Sequence, residues 1–186
     1  MRHARFFRFV CVGLLAAGLL VPGELLHAAT GGTAAGVKWT VPATWIEQAA
    51  RPMRVVTYTI PPAKGGEAGE CGVFYFGKSQ GGSPEENAAR WAGQFEGGGS
   101  PKTTVETIAG FKVHRIRTSG TYLAPGGPMM KSQGKKPGWQ LSGAIVEAPE
   151  GNVFFKCVGP EKAIAAAEAD LDGLLKSLKK TMVVKY

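Results

Sequence analysis

Past the N-terminal segment, three residues could carry reactive chemistry: Cys71, Cys157 and His114. Together they could ligate zinc or copper, but no CxxC, HxxxH or HxH spacing brings ligands onto one stretch of backbone. A cysteine nucleophile needs an exposed thiolate beside a base, and both cysteines sit in apolar, strand-like segments that predict burial. A Ser-His-acid triad would have to use His114, and its nearest serines, Ser119 and Ser132, lack the strand–turn–helix context of a nucleophile elbow. Glu85 and Glu86 open a helix, and Glu147 and Glu150 flank a turn, so neither pair reads as an acid–base couple. The expectation is no catalytic residues, no metal and no cofactor, with His114 facing solvent on a basic strand. A hydrolase built on His114 is the third-ranked alternative. If the strands holding Cys71 and Cys157 are neighbours in register, a disulfide could join them, given Cα atoms within about 7 Å.

Binding chemistry is better represented. Arg115 and Arg117 precede a long segment holding Tyr122, Met129, Met130, Lys131, Lys135, Lys136 and Trp139. Methionines and aromatics beside cations suit adaptable recognition of a partner, and these nine residues are the candidate partner-binding set. The glycine-rich stretch Gly77–Ser83, with Lys78, joins a strand to a helix start, a general setting for anions. It does not match GxxxxGK[ST]. Pro84, Ser83 and Glu86 moreover remove or occupy the free donors of the helix start, and Glu85 and Glu86 repel a phosphate.

The elements that position these groups follow an export signal. Arg2, Arg5 and Arg8 lead into an apolar run from Phe9 to Val21, then Pro22-Gly23 and the small residues near Ala28-Ala29. That is the order of a secretory signal peptide, and the run is shorter than the roughly 20 residues a bilayer requires. The expected organisation is a signal peptide over 1–28, a flexible leader over 29–36 and a single domain over 37–186. Without the first 28 residues the charge falls from +8 to +6, because Arg2, Arg5, Arg8 and Glu24 are lost. An exported, periplasmic or secreted protein is therefore expected, with an envelope protein or an anionic envelope component as partner. Nucleic acid is excluded by compartment, and the mature chain offers no transmembrane segment.

In the mature chain, Arg54–Ile60 and Cys71–Phe76 read as strands, the second apolar on both faces. Ser83-Pro84-Glu85-Glu86 predicts a helix with a capping box, ended by Gly97-Gly98-Gly99. Thr103–Ile108 with Phe111–Ser119, and Gln140–Glu147 with Asn152–Val158, predict hairpins. Arg115 and Ile116 break the alternation of their strand, and a bulge near Arg115 would reconcile them. Residues 122–138 read as a long loop. Pro160 opens a long last helix with Ile164, Ala167, Leu171, Leu174, Leu175 and Leu178 as its apolar stripe. The fold class is α+β: an antiparallel sheet of about six or seven strands flanked by helices.

The pattern Trp39-Thr40-Val41-Pro42-x-x-Trp45 before a hairpin strand resembles the PsbP-like fold, which also includes nuclear Ran-release factors and DcrB-type periplasmic proteins. The blocks Val73–Gly77, Gln80–Gly82, Arg90-Trp91, Gly120–Tyr122, Gly143–Glu147 and Phe154–Lys156 are similar to a group of uncharacterised secreted bacterial proteins. The PsbP-like resemblance implies a binding or assembly module, and the second group, without an assigned function, carries over no catalytic residue set. The leading expectation is a non-catalytic exported envelope protein. The second is a small-molecule or lipid carrier with a cavity lined by Phe74, Trp91 and Phe155.

Overall fold

The computed structural model describes residues 31–124 and 134–181. The expected signal peptide lies outside them. Gly31–Ala34 (β1) and Val37–Thr40 (β2) form a hairpin. Val37 and Trp39 are buried while Lys38 and Thr40 are exposed, the alternation of a strand with one covered face. The leader expected over 29–36 is thus partly a strand. Gly32 lies so close against the Trp39 indole that a Cβ there would sit 2.1 Å from Cζ2.

Ile46–Glu47 (β3), Val56–Ile60 (β4) and Gly69–Phe74 (β5) follow. Pro84–Ala92 (α1) starts as predicted: Glu86 N donates to Ser83 Oγ at 3.1 Å, and Ser83 N donates to Glu86 Oε2 at 2.8 Å. It ends at Gly93, before the predicted glycine triplet, because the chain re-enters the sheet as Phe95–Glu96 (β6). Lys102–Ile108 (β7) and Phe111–Leu123 (β8) form the first predicted hairpin, Lys135–Ala148 (β9) and Gly151–Pro160 (β10) the second. Glu161–Ala166 (α2) and Glu168–Lys176 (α3) replace the single last helix, and Lys179–Lys180 (β11) pairs with β2.

The large sheet runs β3-β4-β5-β10-β9-β8, with β6 and β7 end to end along the outer edge of β8, and every pair is antiparallel. With β1-β2-β11 as a second, three-stranded sheet, the α+β expectation holds with more strands than anticipated. The extra ones are two- to four-residue pieces too short for a periodic signal.

The sheet has a core on each face. Tyr58, Cys71, Val73, Val113, Ala144, Val146 and Phe155 pack against Val37, Trp39, Leu171, Leu174 and Leu175 of the small sheet and α3. Trp39 meets Phe155 edge-on at 5.2 Å and donates its Nε1–H to the Tyr58 hydroxyl. On the opposite face, Ala88 and Trp91 of α1 cover Ile116, Leu141, Ile145 and Phe154. Two covered faces resolve the irregular alternation in β8: Val113 enters one core and Ile116 the other. The β8–β9 register is unbroken from Lys112 to Gly120, so no bulge occurs near Arg115.

Candidate binding cleft

Helix α1 is nine residues long and covers only part of its face of the sheet. Cross-strand pairing lines up one row there: Thr57, Gly72, Lys156, Gly143 and Ile116 on β4, β5, β10, β9 and β8. Lys156 therefore stands between two glycines. Their missing side chains are replaced by their neighbours. A Cβ on Gly143 would lie 2.4 Å from Trp91 Cζ3, and one on Gly72 would lie 2.9 Å from the Phe74 ring and 3.3 Å from Arg54 Nη1. The aromatic rings and the Arg54 guanidinium thus close in around the Lys156 stem.

Lys156 makes no ion pair among the described residues. Its Nζ donates to Gln94 Oε1 at 2.6 Å and lies 5.9 Å from the centre of the Tyr122 ring. Burial, followed by the like charges of Arg54 and Arg90, pulls its pKa down to about 8, against a smaller opposing effect of Glu70.

Beside this row opens a cleft of about 360 Å³, lined among others by Gln48, Arg51, Arg54, Glu70, Tyr122, Lys136 and Trp139. Glu70 accepts from both arginines, Arg51 at 2.8 Å and Arg54 at 2.6 Å. Tyr122 and Trp139 stack with centroids 5.4 Å apart and planes at 2°, and Lys136 Nζ sits 4.3 Å from the Trp139 centroid while pairing with Glu67 at 2.7 Å. A bulge makes this stack: Gly120 pairs with Trp139 and Tyr122 with Lys136, so Pro137 and Gly138 together oppose Thr121. Gly138 takes φ 67°, open to glycine, and the extra residue turns Lys136 onto the face of Trp139. Burial, then the charge of Glu70, pushes the Tyr122 hydroxyl up to about 12, so it stays protonated.

Three of the nine sequence-predicted partner residues, Tyr122, Lys136 and Trp139, meet here. Lys135 pairs with Glu96 at 2.7 Å. Met129, Met130 and Lys131 lie outside the described residues. Arg115 and Arg117 are on the other face. Arg115 is buried against α3, bonded to Asp172 at 2.6 Å and Glu168 at 3.3 Å, and Arg117 also binds Glu168, at 2.5 Å. The proposed union of these two arginines with the 122–139 segment is therefore corrected, because odd and even positions of β8 point to opposite faces. Sequence reading missed Arg51, Arg54, Glu70 and Lys156. A signal for Lys156 existed: it is the one charge in the otherwise apolar run Val153–Val158.

The remaining candidates resolve as follows. Cys71 and Cys157 are direct partners across β5 and β10, which meets the stated condition for a bridge, and both are buried free thiols. Burial, then the hydrogen bond with Cys71, raises the Cys157 thiol well above its ordinary value. His114 is buried rather than solvent-facing, with Nε2 2.7 Å from Glu147 Oε1. Lys112 and then His114 hold the Glu147 carboxyl below its usual range. Ser119 lies on the opposite face of β8 from His114. Phe155 likewise lies on the opposite face from Phe74 and Trp91, so these three residues line no common cavity. The Gly77–Ser83 loop is packed down, a Cβ on Gly81 lying 2.7 Å from Phe76 and 2.9 Å from Phe154. Among the described residues there is no cluster of metal-ligating side chains, and no helix is long and apolar enough to cross a membrane.

Solved structures share this architecture. The solution structure of cyanobacterial PsbP (CyanoP) from Synechocystis sp. PCC 6803 matches with TM-score 0.50 and 12% identity, over 88% of this chain and 99% of that one. The fold is PsbP-like. A protein of unknown function, PA94 from Pseudomonas aeruginosa, matches at 14% identity and TM-score 0.47, over 83% of this chain and 98% of its own. A crystal structure from Bacteroides thetaiotaomicron matches at 11% identity and TM-score 0.42, over 81% of this chain and 47% of that one. No family model and no curated protein matches the sequence. At these identities the PsbP-like likeness is one of fold.

Proposed function

We propose that this chain is an exported, non-catalytic binding module that engages an envelope partner through the cleft beside α1. The observation that carries the reading is the convergence of Arg51, Arg54, Lys136 and the Tyr122–Trp139 stack around one cavity next to Lys156, which makes no ion pair among the described residues. Aromatic and arginine side chains gathered in one recess are the usual carriers of binding energy. The basic balance of the chain favours a partner that presents negative charge. The signal-like N-terminus supports delivery to the envelope, and the resemblance to PsbP-like binding and assembly proteins supports the absence of turnover.

In-cell crosslinking of the tagged chain in its native host, followed by mass spectrometry, tests this. A saturable partner should be recovered with the unaltered chain. With Trp139→Ala plus Lys136→Glu, recovery should fall by at least tenfold, a loss of about 1.4 kcal/mol or more, while circular dichroism shows the domain still folded. Equal recovery from both chains contradicts the reading.

A further inference from the structure

Accepting the cleft as the binding site, its charge arrangement states what the partner must present. Lys136 is matched by Glu67, so that pair is neutral. Arg51 and Arg54 share a single carboxylate, Glu70. Lys156 adds a charge whose hydrogen-bond partner among the described residues is the neutral Gln94. Among the described residues these four cations face two carboxylates, which leaves two positive charges over, and Arg90, close enough to act on Lys156, adds a third. A buried cation without an opposite charge is expensive to hold, and a methionine of similar length would satisfy the packing between Gly72 and Gly143. The arginine fork beside it has planar donors suited to oxyanions, and Tyr122 and Trp139 give the same cleft an aromatic wall.

We propose that the cleft recognises a compact dianionic oxyanion, a phosphomonoester group, held by the Arg51–Arg54 pair and drawn in by Lys156, with the attached organic part against Tyr122 and Trp139. Glu70 is then the internal competitor: it occupies the arginines in the empty cleft and gives way when the phosphomonoester enters.

Two consequences have opposite signs. Lys156→Met removes a charge that attracts the ligand, and affinity should fall about tenfold or more. Glu70→Gln frees both arginines, and affinity should rise by a few-fold. A purely structural role for these residues does not produce a gain. Affinity should also decline as pH rises above 8, because Lys156 loses its proton there. Its surroundings are Arg54 before β4, Glu70 on β5, Arg90 on α1, neutral Gln94, and Tyr122 on β8, whose hydroxyl stays protonated across this range.

The test is calorimetric titration of the full domain with phenyl phosphate, and with phenol and inorganic phosphate as separate arms. Saturable binding of phenyl phosphate, tighter than either fragment, weakened about tenfold or more in Lys156→Met and strengthened in Glu70→Gln, is the expected result. A parallel flotation assay with vesicles containing phosphatidic acid distinguishes a soluble ligand from a lipid headgroup. Vesicle binding that depends on Lys156 places the phosphomonoester on a lipid, and solution binding alone places it on a small molecule. No binding in any arm, or binding indifferent to both substitutions, overturns the proposal. If crosslinking still finds a partner that Trp139→Ala abolishes, the binding-module reading stands and only the ligand class is wrong.

Discussion

Arg115→Ala is expected to destabilise the fold by about 3 kcal/mol while leaving binding at the cleft intact. Arg115 leaves β8 on the face that packs against α3, and its side chain is only 9% exposed. Its Nη1 donates to Asp172 Oδ1 at 2.6 Å and its Nη2 to Glu168 Oε2 at 3.3 Å. Glu168 is also well covered, and its Oε1 has no hydrogen-bond partner among the described residues. Removing the guanidinium strands that carboxylate against the sheet with only Arg117, a half-exposed residue, to answer it. Asp172 is more exposed and regains water, which holds the cost to the low end of the range for a broken buried pair. Arg117→Ala, at the rim, should cost less than about 1 kcal/mol. Urea denaturation of both variants measures this. Loss of ligand binding in Arg115→Ala with unchanged stability would return Arg115 to the partner surface.

Lys156→Met should stabilise the domain at neutral pH, by about 2 kcal/mol. The folded state holds this lysine at a pKa of about 8, against an ordinary value of 10.5. Between those values the unfolded chain binds the proton more firmly than the folded one, so unfolding is favoured by acid and opposed by base. Stability of the unaltered protein therefore carries its full deficit below pH 8 and recovers as pH climbs from 8 to 10.5. The difference of the two values corresponds to about 3 kcal/mol. Loss of the hydrogen bond to Gln94 takes back about 1 kcal/mol. A rise of several degrees in melting temperature at pH 7 is the expected reading. The gain should vanish at about pH 10, where the remaining deficit equals the lost hydrogen bond. A lower melting temperature at pH 7, or a stability difference between the two proteins that does not shrink as pH climbs from 8 to 10.5, contradicts it. A residue that costs stability where it stands is what a binding site accepts.

The strands and helices that could be read in the sequence were those with long periodic signals. Ser83, Pro84 and Glu86 fixed the start of α1 because the cap is a local device, and the stripe from Ile164 to Leu178 fixed the face of α2 and α3. Residues 31–34 were read as a leader because Gly-Gly-Thr-Ala carries no apolar signal, and their antiparallel pairing with Val37–Thr40 makes them a strand. The candidate site was half legible. Tyr122, Lys136 and Trp139 stood out by composition. Their separation from Arg115 and Arg117 depends on strand parity and on the bulge at Pro137-Gly138, neither of which composition reveals. Arg51, Arg54, Glu70 and Lys156 come from three separate segments, and only the order β4-β5-β10 brings them together.

The most direct test of the binding surface is site-specific photo-crosslinking in the native host. A photoreactive residue is placed at Gln48, which lines the cleft, or at Arg117, on the opposite face of the sheet. The cleft reading predicts a discrete adduct from position 48 and none from position 117. An adduct from position 117 alone would put the partner on the wrong face and contradict it.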